Sequence, residues 1–276
     1  MTSLVAHGVA LEARLEPTDI AVQSGELVAV IGPNGGGKTS LLRALARVEH
    51  AAGHVEIDGE NIDQASEARR RKLLAFLPAS RDIGWPIAAR DVIALGLAAP
   101  DPARIEEMLA LFELERLSDR PVNCLSTGER ARVLMARALA AQPRALLLDE
   151  PLSNLDPYWV QRFIEQFRLS ADDGQILLVA VHDLAVIDRF DRALMVADGR
   201  VQMDETPASL LASEYFETIF RVCRTSGGWK IRPLRYSRGR IGNHRREIGF
   251  GGEFAIDRGA AGEFAHIRSF LNKLDI

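Results

Sequence analysis

Cysteine is nearly absent from this sequence, with only Cys124 and Cys223 in 276 residues. Two cysteines without metal-type spacing fit a reducing compartment better than a disulfide framework. An excess of positive charge is also missing, since 34 Lys and Arg face 38 Asp and Glu for a formal net charge of -4. The field expected of a general nucleic-acid binder is therefore lacking, and a phosphate ligand has to be held locally. No apolar run approaches the roughly 20 residues of a membrane-spanning helix, so any membrane role is expected to be peripheral. The opening MTSLVAHGVALEARLEP has no basic stretch ahead of an apolar core, and no secretory signal is expected there.

What is present is ordinary globular material, 47% hydrophobic and 26% charged, enough for one large domain or two modest ones. ELVAVIG, from Glu26, is a short continuous apolar run of the kind buried on both faces of a parallel sheet. It feeds a glycine-rich turn, and KTSLLRALARV then carries Leu and Ala at helical spacing. HVEIDGENI and RALMVADGRVQM each centre on an Asp-Gly pair, Asp58-Gly59 and Asp198-Gly199, and predict hairpins. Apolar strands are expected at ALLLDE and QILLVAVHD, separated by a helix over PYWVQRFIEQFRL. Pieces of helical pattern punctuated by proline follow Arg81 and predict a helical insertion over about 81–141.

GPNGGGKT, Gly32 to Thr39, fits G-x-x-x-x-G-K-[ST]. Such a loop turns its backbone N–H groups toward phosphate oxygens, and the helix behind it adds its positive end. Gly32, Pro33, Asn34, Gly35, Gly36, Gly37, Lys38, Thr39 and the adjoining Ser40 are the expected nucleotide-binding stretch. Lys38 is expected to reach the β- and γ-phosphates and Thr39 to ligate Mg²⁺. ALLLDE ends a strand in two carboxylates, where open α/β sheets bind ligands. Asp149 is the expected Mg²⁺ residue and Glu150 the base for the attacking water. His182, after the next apolar strand, is either structural or a γ-phosphate contact, and the second is favoured by its place on the nucleotide side. Asp156 in SNLD is either the N-cap of the next helix or a nucleotide contact.

Ser126 and Glu129 in LSTGE form an S-x-x-E capping box, which explains both as helix-start residues. Gly128 is not explained that way, because glycine in a first turn costs helix stability unless something approaches its backbone. A helix start with Ser126 and Gly128 is also an anion site.

GPNGGGKT, LSTGE, ALLLDE, SNLD and VHD, in this order, resemble the nucleotide-binding subunit of an ATP-binding cassette transporter, over roughly Leu4 to Val222. The resemblance implies an α/β fold, a RecA-like P-loop NTPase core with an antiparallel β subdomain and a helical insertion. It implies ATP and Mg²⁺ as ligands, and a head-to-tail homodimer in which Ser126 and Gly128 of one copy contact the γ-phosphate held by the other. It further implies polytopic membrane permease subunits, an indirect periplasmic or surface substrate-binding protein, and a peripheral place on the cytoplasmic face of the inner membrane. No nucleic-acid partner is expected. The nucleotide-binding domain is placed at 1–223 and a basic, glycine-rich tail at 224–276, read as a loosely structured terminus or a polybasic surface for anionic lipid.

Three departures from that pattern stand out. Thr127 replaces the usual glycine, and Ala79 stands where the family has a glutamine that touches Mg²⁺ and the attacking water. No Gln occurs between Gln64 and Gln142, and alanine neither ligates a metal nor orients water. The upstream aromatic that stacks on adenine is missing too, leaving Leu15 and Val22 as expected apolar contacts. IGWPIAARDVIALGL is similar to a segment of importers of ferric siderophores, haem and cobalamin. The alternatives are a soluble cassette ATPase acting on nucleic acid or ribosomes, and an ATP-binding subunit with impaired hydrolysis.

Overall fold

The computed structural model describes residues 3–81, 83–225 and 228–231, and for 223–225 and 228–231 the backbone alone. The order begins β1 (Ser3–Leu11), β2 (Leu15–Gln23), β3 (Leu27–Ile31), α1 (Lys38–Ala46), β4 (Ala52–Ile57) and β5 (Glu60–Asn61). It continues through α2 (Glu67–Leu73), β6 (Leu74–Leu77), α3 (Ala89–Ala94), α4 (Pro102–Leu111), α5 (Thr127–Ala140), β7 (Ala145–Asp149), α6 (Pro157–Asp172) and β8 (Ile176–Ala180). β9 (Arg192–Ala197), β10 (Arg200–Glu205), α7 (Pro207–Leu211), α8 (Glu214–Phe220), β11 (Val222–Thr225) and β12 (Gly228–Ile231) complete it.

Six strands form the main sheet in the order β10-β9-β3-β8-β7-β6. All its pairings are parallel except β10 with β9. The central strands are continuous apolar runs because both faces are covered. Leu27, Ala29 and Ile31 of β3 join one core with residues of α3, α5 and α6, whereas Val28 and Val30 join another with α1 and the small sheet. Leu146 and Leu148 of β7 and Leu177 and Val179 of β8 follow the same period of two.

The second sheet is antiparallel, in the order β2-β1-β4-β5. Both Asp-Gly turns form as the sequence predicts. Asp58 and Gly59 have φ of 57° and 76°, and Asp198 and Gly199 51° and 71°, the two positive values a type I′ hairpin requires. The helical insertion is built from α3 and α4 against α5. Among the described residues no helix is long and apolar enough to cross a membrane.

A compact unit spans Met1–Arg232, and the β11–β12 pair, Val222↔Ile231 to Thr225↔Gly228, runs past residue 223. The rest of the tail expected at 224–276, from residue 232 onward, lies outside the described residues.

Candidate active site

Three neighbouring strands, β3, β8 and β7, deliver the chemistry at their C-terminal ends: Gly32 onward, His182, and Asp149 with Glu150. The glycine loop is held from behind. A Cβ at Gly32 would lie 1.9 Å from the Val196 carbonyl oxygen, and one at Gly36 2.7 Å from the same atom. Gly36 is tied further, donating to Pro33 O at 3.0 Å and accepting from Gly199 N at 3.0 Å, so the β9–β10 turn closes onto the loop. Gly35 has open space around it. Gly37, at φ 111°, is the N-cap of α1 and supplies no side-chain cap, which leaves the first N–H groups of that helix available to an anion.

Lys38 is 5% exposed, and its ammonium donates to Gly32 O at 2.8 Å and Pro33 O at 3.1 Å. Burial pushes its pKa below the ordinary lysine value, against the opposing charges of Glu150 and Asp149. Thr39 Oγ1 donates to Asp149 Oδ1 at 3.2 Å. The other carboxylate oxygen, Oδ2, is buried without a hydrogen-bond partner, and burial raises the pKa of Asp149. An orphaned buried carboxylate oxygen beside a hydroxyl is a hard oxygen pair that suits Mg²⁺. Among the described residues there is no group of three or more His, Cys, Asp or Glu that could hold a metal. The Thr39 hydroxyl and the orphaned Asp149 oxygen fit an ion that takes few protein ligands.

Glu150 sits in the left-handed region, φ 51°, which turns the chain sharply after β7. Its Oε1 lies 2.5 Å from His182 Nε2. The hydrogen bond from His182 is the main reason that its carboxylate titrates below the ordinary glutamate value. Ser153 Oγ donates to the Glu150 carbonyl at 2.9 Å. A carboxylate kept ionised beside an imidazole can accept a proton or hydrogen bond from water. His182, expected to be either structural or a γ-phosphate contact, lies at the cleft and pairs with Glu150.

A cleft of about 710 Å³ joins these groups, lined by Asn34, Gly35, Gly37, Lys38, Thr39 and Ser40 on one side and by Glu150 and His182 on another. Gly32 and Gly36, buried behind it, and Pro33 shape the loop without lining the cleft. Leu15 lines the cleft as expected, but Val22 is 0% exposed and does not. That expectation is corrected by strand alternation, which turns Val22 into the core beneath β2. Arg14, Asp198 and Gly199 also line it. Sequence reasoning missed Arg14 as a lining residue and took Asp198-Gly199 only as a turn.

Ser126, Gly128 and Asp156 do not line this cleft. Ser126 accepts from Glu129 N at 3.3 Å while Glu129 Oε2 accepts from Ser126 N at 2.8 Å, the capping box the sequence predicts. These bonds lower the pKa of Glu129. Gly128 has nothing within 4 Å of an added Cβ. Asp156 caps α6, accepting from Trp159 N at 3.0 Å, with Pro157 in the first turn. Of its two readings, the cap is the one this structure displays.

The sequence model of the ABC transporter family matches residues 15–153. The hemin import ATP-binding protein HmuV of Nocardia farcinica is 35% identical over 241 residues, covering 79% of this chain and 83% of that protein. The cobalamin import ATP-binding protein BtuD of Halobacterium salinarum is 34% identical over 217 residues, covering 75% of this chain and 54% of that protein. Among solved structures, a dimeric ATP-binding cassette in a post-hydrolysis state with ADP and Pi is similar at a TM-score of 0.66 and 25% identity, over 74% of this chain and 98% of that one. A family match through both the glycine loop and the Asp149-Glu150 pair, and relatives similar over most of their length, make this chain a member of the ABC transporter family, an ATP-binding subunit that hydrolyses ATP.

Proposed function

We propose that this chain drives import through a membrane permease by hydrolysing MgATP in a head-to-tail homodimer, at the cytoplasmic face of the inner membrane. The observation that carries the dimer is the start of α5, where an exposed Ser126 and an unobstructed Gly128 stand outside the cleft that holds Lys38. The names of the relatives, hemin and cobalamin import ATP-binding proteins, favour haem, cobalamin or iron-siderophore as the class of cargo. A second groove, about 340 Å³ and lined by Leu74, Phe76, Leu134, Arg71 and Arg137 among others, offers an apolar floor and basic rim for a permease segment.

Within the site, Mg²⁺ would be held by Thr39 and Asp149, and when bound it neutralises charge on the phosphates. Lys38 exchanges its carbonyl partners for phosphate oxygens. The N–H groups of the loop and of the first turn of α1 hold the phosphates in place. Glu150, kept ionised by His182, orients and deprotonates the attacking water. Ser126 and Gly128 of the second copy close over the γ-phosphate, so that closure and ligand binding are one population shift.

The test is the full chain carrying Glu150→Gln. Its turnover is expected to fall by about 100-fold while MgATP converts it from monomer to dimer in light scattering. Gly128→Asp in the same background is expected to return it to a monomer that still binds nucleotide. A Glu150→Gln chain that stays monomeric at saturating MgATP would count against the dimer.

A further inference from the structure

The turn after β7 is shaped by a residue far from it in sequence. Arg81 Nη1 donates to Ser153 O at 2.8 Å, and Nη2 donates to Glu150 O at 2.7 Å and to Pro151 O at 2.8 Å. One part-buried guanidinium thus holds three carbonyls of a four-residue turn. The turn needs such holding, because Glu150 at its start and Asn154 just after it, neither of them glycine, both lie in the left-handed region at φ 51° and 58°. The Glu150 carbonyl is the shared node: besides Arg81 it accepts from Ser153 N at 3.2 Å and Ser153 Oγ at 2.9 Å. The same residue carries the carboxylate that faces His182.

We propose that Arg81 is a positioning residue for hydrolysis, clamping the 150–153 turn so that the Glu150 carboxylate is aimed into the cleft. Ala79, two residues before Arg81, is exposed and has no polar side chain to share in that anchor, and Ser153 holds only the Glu150 carbonyl. A planar fork of five donors suits three carbonyls spread along a turn, whereas a lysine ammonium in the same place holds fewer of them in a fixed geometry. Arg81 touches backbone and not the reacting atoms, so its contribution belongs in turnover and not in nucleotide affinity.

This inference rests on Glu150 acting in ATP hydrolysis, as proposed above, and the test separates the two. Arg81→Ala and Arg81→Lys are compared with the native full chain for kcat and KM with MgATP, and for hydrogen exchange of the peptide covering 150–156. Arg81→Ala is expected to lower kcat by about tenfold or more with KM within about threefold, and to speed exchange of that peptide. Arg81→Lys is expected to fall between the two in both readouts, and it decides the matter if the alanine variant does not fold. Native kcat and native exchange in the variants overturn the proposal, as does a fall in kcat matched by an equal loss of ATP affinity. A native chain that hydrolyses no MgATP sinks the proposed function instead; exchange alone then decides, with faster turn exchange supporting the clamp and unchanged exchange overturning it.

Discussion

The chain has two glycine-bearing helix starts, and they are built in opposite ways. At α1 two of the loop glycines leave no room for a side chain: a Cβ at Gly32 or Gly36 would run into the Val196 carbonyl, and Lys38 is buried on two carbonyls of its own loop. At α5 the glycine is free: Gly128 meets nothing, and Ser126 is exposed with its hydroxyl used in a capping box. The first is a finished cradle that one chain completes by itself. The second is a capped helix end in which, among the described residues, nothing approaches Gly128 where a side chain would stand. The contrast teaches that glycine marks two different needs, room for the fold and room for something outside it.

One substitution made at both places breaks or sharpens the contrast most. Gly32→Ala forces a Cβ into a backbone oxygen and is expected to cost about 3 kcal/mol in urea unfolding, or to prevent folding. Gly128→Ala is expected to raise stability by about 0.5–1 kcal/mol, since alanine is the better helix former, while weakening MgATP-dependent dimer formation in light scattering. Equal loss of stability at both sites would erase the distinction between the two helix starts.

His182→Ala gives a smaller effect, confined to the cradle. The hydrogen bond from His182 is the largest cause of the lowered Glu150 pKa. Stability from that shift is present above the unfolded glutamate value of about 4.3 and is lost as pH falls through the lower folded value. Without His182 the acid limb of the pH–rate profile is expected to move toward neutral pH. An acid limb that stays in place would separate Glu150 from the pH dependence. The smallest effect is expected from Ala79→Gln, a gain of about two- to fivefold in ATPase rate, and no gain would show that the missing amide does not limit turnover.

The legibility of the fold followed the same division. β3, β7 and β8 could be read from continuous apolar runs, and both Asp-Gly hairpins from turn chemistry, because local sequence alone dictates those features. β1 and β2 were not predicted, and their pairing is irregular, with register shifts between Ala6 and Val9 and again before Leu11. Motif spacing brought out Lys38, Thr39, Asp149 and Glu150 because the chemistry requires those side chains in that order. Arg14 and Arg81 stayed invisible for a physical reason. Their roles depend on which remote atoms the tertiary fold brings to them, carbonyls of residues 150–153 in the case of Arg81.

The tip of the last hairpin is bolted to its surroundings twice, with Gly199 bonded to Gly36 on one side and to Glu16 on the other. Two small residues wedged under Val196 then leave no slack between the hairpin and the loop it backs. Nucleotide consequently meets a loop whose back is already fastened to the hairpin. A displacement of the loop on binding would have to carry the β9–β10 tip and, through Glu16, β2 along with it.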